Sequence, residues 1–224
     1  MEEINTKSRR NHTENSMSST LIFKTILMKK IFLLSTIIFL SVQCKAQSHI
    51  VNSTDCDSYF DRSSGDYYRK DLNNIMDNYV GTWKWTSGNK EFLLTLIKQV
   101  KHHYHEIGNN DYYRDRLVGY YIYKENGIII ADTSSDNNLS SDYGMKVMFI
   151  LNCHSQIASI AFEDYKKYKS FEVILESLSS TQIKMNMYER EHSIIIYKKT
   201  GVQVPAEMPQ GGSTFPMEMI LTKQ

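Results

Sequence analysis

From Tyr79 to the C-terminus the chain repeats one pattern, in which short runs of alternating apolar and polar side chains are separated by turn-forming residues. A period of two sends successive side chains to opposite faces of an extended backbone, so each run reads as a strand with one buried and one wet face. The series opens at Tyr79-Val80-Gly81-Thr82-Trp83-Lys84-Trp85, where Trp83 and Trp85 share a face, Lys84 and Thr86 share the other, and Gly81 gives a tight entry. Gly88-Asn89 then turns the chain into the run from Glu91 to Gln99. Glu125-Asn126-Gly127 separates two further apolar runs, and Asn-Gly in that position is a strong hairpin signal.

Later runs follow at regular spacing: Met145 to Leu151, Ile157 to Glu163, Phe171 to Leu175, Ile183 to Tyr188, Ser193 to Lys199 after a turn at Glu189-Arg190-Glu191, and Met217 to Thr222. Thr133 to Gly144 is a Ser/Asn/Asp loop. Val100 to Asp115 reads as a polar connection, and residues 47–69 as an irregular arm. Leu72, Ile75, Met76 and Tyr79 recur at helical spacing, which predicts a short amphipathic helix over Arg69 to Asn78 that caps an end of the sheet. No βαβ alternation is present. The fold class is therefore all-β, an antiparallel meander of eight to ten strands closing into a barrel, with residues 79–224 as the barrel domain and 47–78 as arm and helix. Two Asp-Tyr-Tyr-Arg runs, starting at Asp66 and Asp111, are too short to define a repeat.

The N-terminus carries a targeting pattern. Met28-Lys29-Lys30 is a basic start, Ile31 to Val42 an apolar run too short to cross a bilayer, and Cys44-Lys45-Ala46 a cleavage site before Gln47. Residues 28–46 are read as a signal peptide and residues 1–27 as an upstream over-extension of the reading frame. Export to the periplasm or cell exterior follows, with no membrane span after cleavage. Lipid attachment at Cys44 is disfavoured because Gln43 is not small. Cleavage leaves two cysteines, Cys56 and Cys153, as a disulfide candidate in an oxidising compartment, with two independent thiols as the other reading.

A net charge of +1, without basic clusters, excludes a nucleic-acid footprint. His102, His103 and His105 have ligand-like density, and His103 and His105 would share a strand face, with Glu106 or His154 as further ligands. Solvated histidines at a strand end are the preferred reading, so no metal and no cofactor is assigned. Asp132, Asp136 and Asp142 lack the spacing of a Ca²⁺ loop. Cys153-His154 cannot form a nucleophile and base pair, because neighbours on a strand point apart, and no other catalytic motif is found. The interior of the barrel is expected to be formed by Phe92, Leu94, Tyr121, Tyr123, Phe149 and Met185, either lining a cavity for a small apolar ligand or filling it. Tyr67, Tyr68, Tyr112 and Tyr113 are candidates for a surface that meets an envelope protein or glycan.

Val80-Gly81-Thr82-Trp83 opening an antiparallel meander resembles the Gly-x-Trp start of the lipocalin-like, or calycin, barrels. That resemblance implies that Trp83 closes the barrel floor and that the interior takes a small apolar ligand. It departs from that group in lacking a Thr-Asp-Tyr motif and a clear Arg on the last strand to cover the Trp. The Val-Gly-Thr-Trp-Lys-Trp opening, the end at Cys44-Lys45-Ala46-Gln47 and the close Met219-Ile220-Leu221-Thr222-Lys223 also resemble an uncharacterised family of small secreted proteins of Gram-negative bacteria. The expectation is an exported, non-enzymatic barrel that binds a small apolar ligand; the alternative is a solid-cored interaction module of the cell envelope. Gly81, Trp83 and Trp85 are then architectural.

Overall fold

A computed structural model describes residues 49–106, 108–135, 139–142, 146–164, 166–167, 169–194 and 212–224, together with Lys29; for 190–194 only the backbone is described. The expected signal segment, apart from Lys29, and residues 195–199 of an expected strand lie outside the described residues. Eleven strands and one 3-10 helix (Ile75–Tyr79) are present among the described residues: β1 (His49–Asn52), β2 (Tyr67–Lys70), β3 (Gly81–Ser87), β4 (Lys90–Tyr104), β5 (Tyr112–Glu125), β6 (Ile128–Asp132), β7 (Val147–Leu151), β8 (Ile157–Asp164), β9 (Lys169–Ser177), β10 (Gln182–Ile194) and β11 (Glu218–Lys223).

Eight of these close a barrel. The order β3-β4-β5 and β7-β8-β9-β10-β11 follows the chain, every neighbouring pair is antiparallel, and the two halves join through β5 and β7. The ring is completed where β11 meets β3, with Thr222 opposite Lys84 and Lys223 opposite Trp83. Such an up-and-down closed barrel is lipocalin-like and leaves no open edge within the ring. The second edge of β5 is shared in sequence by three partners: β2 at Tyr113 and Arg114, β7 from Leu117 to Gly119, and β6 from Ile122 to Glu125. Consequently β1, β2 and β6 lie outside the ring.

Trp83 is fully buried, its Nε1 donates to the Tyr79 carbonyl at 2.8 Å, and Trp85 packs partly buried against the same core. Lys223 on the last strand lies over the Trp83 ring, 5.2 Å from its centroid. Gly81 makes this passage fit. It has a φ of +124°, and a Cβ there would come within 3.1 Å of the Lys223 side chain.

Three expectations are corrected. The helix over Arg69 to Asn78 is absent: Arg69 and Lys70 belong to β2, Asn74 is left-handed with φ 54°, and only a 3-10 turn follows. Asp71 decides this, because its buried carboxylate accepts the N–H groups of Ile75 and Met76 at 2.9 Å each and starts the turn there. Leu72, one of the residues at helical spacing, is half exposed, whereas Met76 and Tyr79 join the core. Secondly, the polar stretch from Val100 is not a simple connection; β4 runs through a bulge between Gln99 and His102 to Tyr104, and β5 begins at Tyr112. Lys101 takes a φ of 56° at that bulge, and its N–H is held by Asp115. Lastly, Glu189-Arg190-Glu191 does not turn, since β10 continues to Ile194 with a register shift.

Candidate functional site

The six interior residues named from the sequence fall in one place. Phe92, Leu94, Tyr121, Tyr123, Phe149 and Met185 belong to a single core cluster, and none is more than 2% exposed. What joins them was not expected: Phe215, from the passage before β11, enters among the rings. Its centroid is 5.2 Å from Phe92 and from Tyr121, and 6.0 Å from Tyr123 and from Phe162. Phe92 and Phe162 each stack with Tyr121, at 5.6 and 5.5 Å. Asp164, buried at the end of β8, holds this insertion by accepting the N–H of Thr214 at 2.6 Å and its hydroxyl at 2.8 Å. A lone aromatic in Gly211-Gly212-Ser213-Thr214-Phe215-Pro216 was the only available signal.

Past the rim of the barrel, β4 and β5 run on and are joined by β2 and β1, giving a small flanking sheet in the order β1-β2-β5-β4. The two Asp-Tyr-Tyr-Arg runs meet here, strand beside strand and in parallel register, with Tyr68 opposite Tyr113 and Arg69 opposite Arg114. Asp115 ties the flank to the bulge and the 3-10 turn by accepting from the Tyr68 hydroxyl at 2.6 Å, the Lys101 N–H at 2.8 Å and the Asp71 N–H at 2.9 Å. Burial and these Asp115 contacts push the Tyr68 hydroxyl well above its ordinary range. The proposed tyrosine surface is thereby corrected. Tyr68 and Tyr112 are buried, Tyr67 and Tyr113 remain half exposed, and Tyr59 on the arm is the most exposed tyrosine among the described residues.

On one face of the flank, His103 sits between His105 and Tyr113 in a row of parallel rings, with centroids 4.5 and 4.4 Å apart. Lys101 lies over the far ring at 5.4 Å. His103 and His105 thus share a face. However, His103 Nε2 is engaged by Asp111 at 2.7 Å. The only group of three metal-ligating residues close together among the described residues is Cys56, Cys153 and His154, and there the two sulfurs are joined to each other.

A cluster of buried charged and polar side chains lies beside the rim. Arg116 is fully buried, donating to Gln99 Oε1 at 2.8 Å and to the carbonyls of Leu139 and Ser141 at 3.1 and 3.2 Å, beneath the loop expected to be solvated. Asp142, weighed above as a Ca²⁺ ligand, is instead held by His102 Nε2 at 2.5 Å and by the N–H groups of His105 and Glu106 at 2.9 and 3.0 Å. Burial raises its carboxyl, but His102 and these N–H groups outweigh it and keep it below the ordinary range. Burial, aided by Arg116, lowers His102 against the pull of Asp142. A neutral imidazole donating Nε2–H to a carboxylate satisfies both.

The arm crosses the opposite face. Cys56 is bridged to Cys153 with Cα atoms 4.9 Å apart, closing a loop of 97 residues. Phe60 meets Tyr67 and Tyr112 edge-on at 5.6 and 5.2 Å and carries the Arg69 guanidinium over its ring at 4.8 Å.

No helix among the described residues is long and apolar enough to cross a membrane. Residues 28–224 match the sequence model described as a family of unknown function, DUF6705, and the chain belongs to that family. No curated protein and no solved structure matches it.

Proposed function

We propose that this DUF6705 chain is an exported, non-enzymatic interaction module, a barrel with a solid interior that carries a ring-rich binding flank for a protein or glycan of the cell envelope. The observation that carries this reading is Phe215. Its ring occupies the middle of the aromatic set that would otherwise line a ligand cavity, and an anchored carboxylate contact at Asp164 keeps it there. The accessible rings lie elsewhere, Tyr113 and His105 on one face of the flank and Tyr59 and Tyr67 on the other, where amphipathic aromatic and imidazole groups suit recognition of a sugar face or a polar partner. Export is supported by the Cys56–Cys153 bridge, since such bridges persist in oxidising compartments. It proceeds through residues 28–46, and N-terminal sequencing of the purified chain should begin at Gln47.

The test is capture from envelope extract by the immobilised chain, compared with a Tyr59→Ser/Tyr113→Ser variant of unchanged melting. Loss of a discrete bound species in the variant supports the flank as the binding surface; equal capture by both rejects it.

A further inference from the structure

The register that pairs the two Asp-Tyr-Tyr-Arg runs also creates an electrostatic problem. Arg69 and Arg114 are opposite one another on adjacent parallel strands, so both side chains leave the same face roughly 5 Å apart at the backbone. Arg62 joins them from the arm: its carbonyl accepts the Asp111 N–H at 2.6 Å, beside the start of β5. None of the three has a carboxylate partner among the described ion pairs, where the other buried cation of the flank, Arg116, does.

Their donors are largely unused. A guanidinium offers five N–H groups. Arg114 is nine-tenths buried and gives one bond, from Nη2 to the Leu151 carbonyl at 2.8 Å; Arg69 gives one, to the Asp55 carbonyl at 3.4 Å. The Nε atoms of both are buried without a hydrogen-bond partner. Burial foremost lowers both groups, Arg114 to about 10; repulsion from Arg62 adds to it at Arg69 against the pull of Asp55, and at Arg114 repulsion from Arg69 and Arg62 works against Tyr104 and Tyr112. Three like charges converging with orphaned donors is a costly arrangement unless an anion completes it.

We propose that Arg62, Arg69 and Arg114 form an oxyanion site for a phosphate or sulfate group. Planar guanidinium forks match the oxygen edges of such a group, and a doubly charged anion offsets three cations better than a single carboxylate does. Access is from the side of Arg62, which is exposed, while Arg114 forms the floor. The inference stands independently of the envelope-partner reading, because a free ion satisfies it.

Calorimetric titration of the disulfide-intact chain in chloride buffer, with inorganic phosphate, sulfate, methyl phosphate and acetate, tests it. One saturable phosphate or sulfate site is expected, at least tenfold tighter than acetate, with a Tm rise of about 4 °C at tenfold excess over Kd. Arg62→Gln, a change at an exposed residue, should weaken phosphate severalfold without lowering Tm in chloride. Arg69→Gln should abolish the phosphate-dependent rise. Methyl phosphate binding as well as phosphate marks a site open to a phosphate ester; phosphate alone marks a closed ion site, and both support the assignment. Absence of saturable binding by phosphate and sulfate, or an undiminished response in both variants, overturns it.

Discussion

The barrel and its flanking sheet are built from the same strands but held by different forces. Inside the ring, β4 and β5 contribute Phe92, Leu94, Leu96, Leu117, Tyr121 and Tyr123 to one apolar cluster. A few residues further along, the same two strands contribute His102, His103, Arg114, Asp115 and Arg116 to ion pairs, ring stacks and buried carboxylates. Apolar burial is non-directional and tolerates rearrangement, whereas a buried carboxylate works only with every donor in place. The barrel is thus a support that sequence changes erode gradually, and the flank a surface with specified geometry.

Removing the Cys56–Cys153 bridge attacks the flank at its covalent tie. Cys56→Ser/Cys153→Ser should lose up to about 4.7 kcal/mol in urea unfolding, the chain-entropy value for a loop near 100 residues. A loss below 1 kcal/mol would show the arm to be held by its rings. The barrel has its counterpart in Trp83→Ala, expected to cost about 3 to 5 kcal/mol because a fully buried indole and its hydrogen bond to Tyr79 both vanish. Unchanged melting would show that the core does not depend on this indole.

Phe215→Ala sharpens the contrast further. Truncation should cost about 3 kcal/mol and leave a dry apolar space among Phe92, Tyr121 and Phe162, able to take a benzene-sized molecule that the native chain refuses. Equal binding by both would mean that Phe215 is not a plug.

Acid should loosen the flank. His102 has a lowered pKa in the folded chain, so the unfolded chain takes the proton first, and stability declines as pH falls below 6.5. Asp142 is also lowered; its contribution is present above 3.8 and is lost as pH falls beyond that point. Urea midpoints at pH 7 and pH 5 should therefore differ for the native chain and differ less for His102→Gln, the smallest of these effects.

The same division explains what could be read in advance. Alternation placed the ring strands, because half-buried strands write their burial directly into a period of two, and the Gly88-Asn89 and Asn126-Gly127 turns placed the β3–β4 and β5–β6 hairpins. The flank writes no such period. Its strands are polar on both faces, so Val100 to Asp115 read as a connection although Tyr104 faces Tyr112 at 4.9 Å. The doubled Asp-Tyr-Tyr-Arg run was visible, but its meaning lay in a parallel register 45 positions apart, which spacing alone does not reveal. Lys223 over Trp83 was missed for a simpler reason: the resemblance directed attention to an arginine.

The central claim, a solid barrel serving a binding flank, is tested most directly by native mass spectrometry of the chain after exposure to a mixed lipid extract. The native chain should appear at its bare mass, with no lipid adduct. A stoichiometric lipid on the native chain would contradict it and return function to the interior.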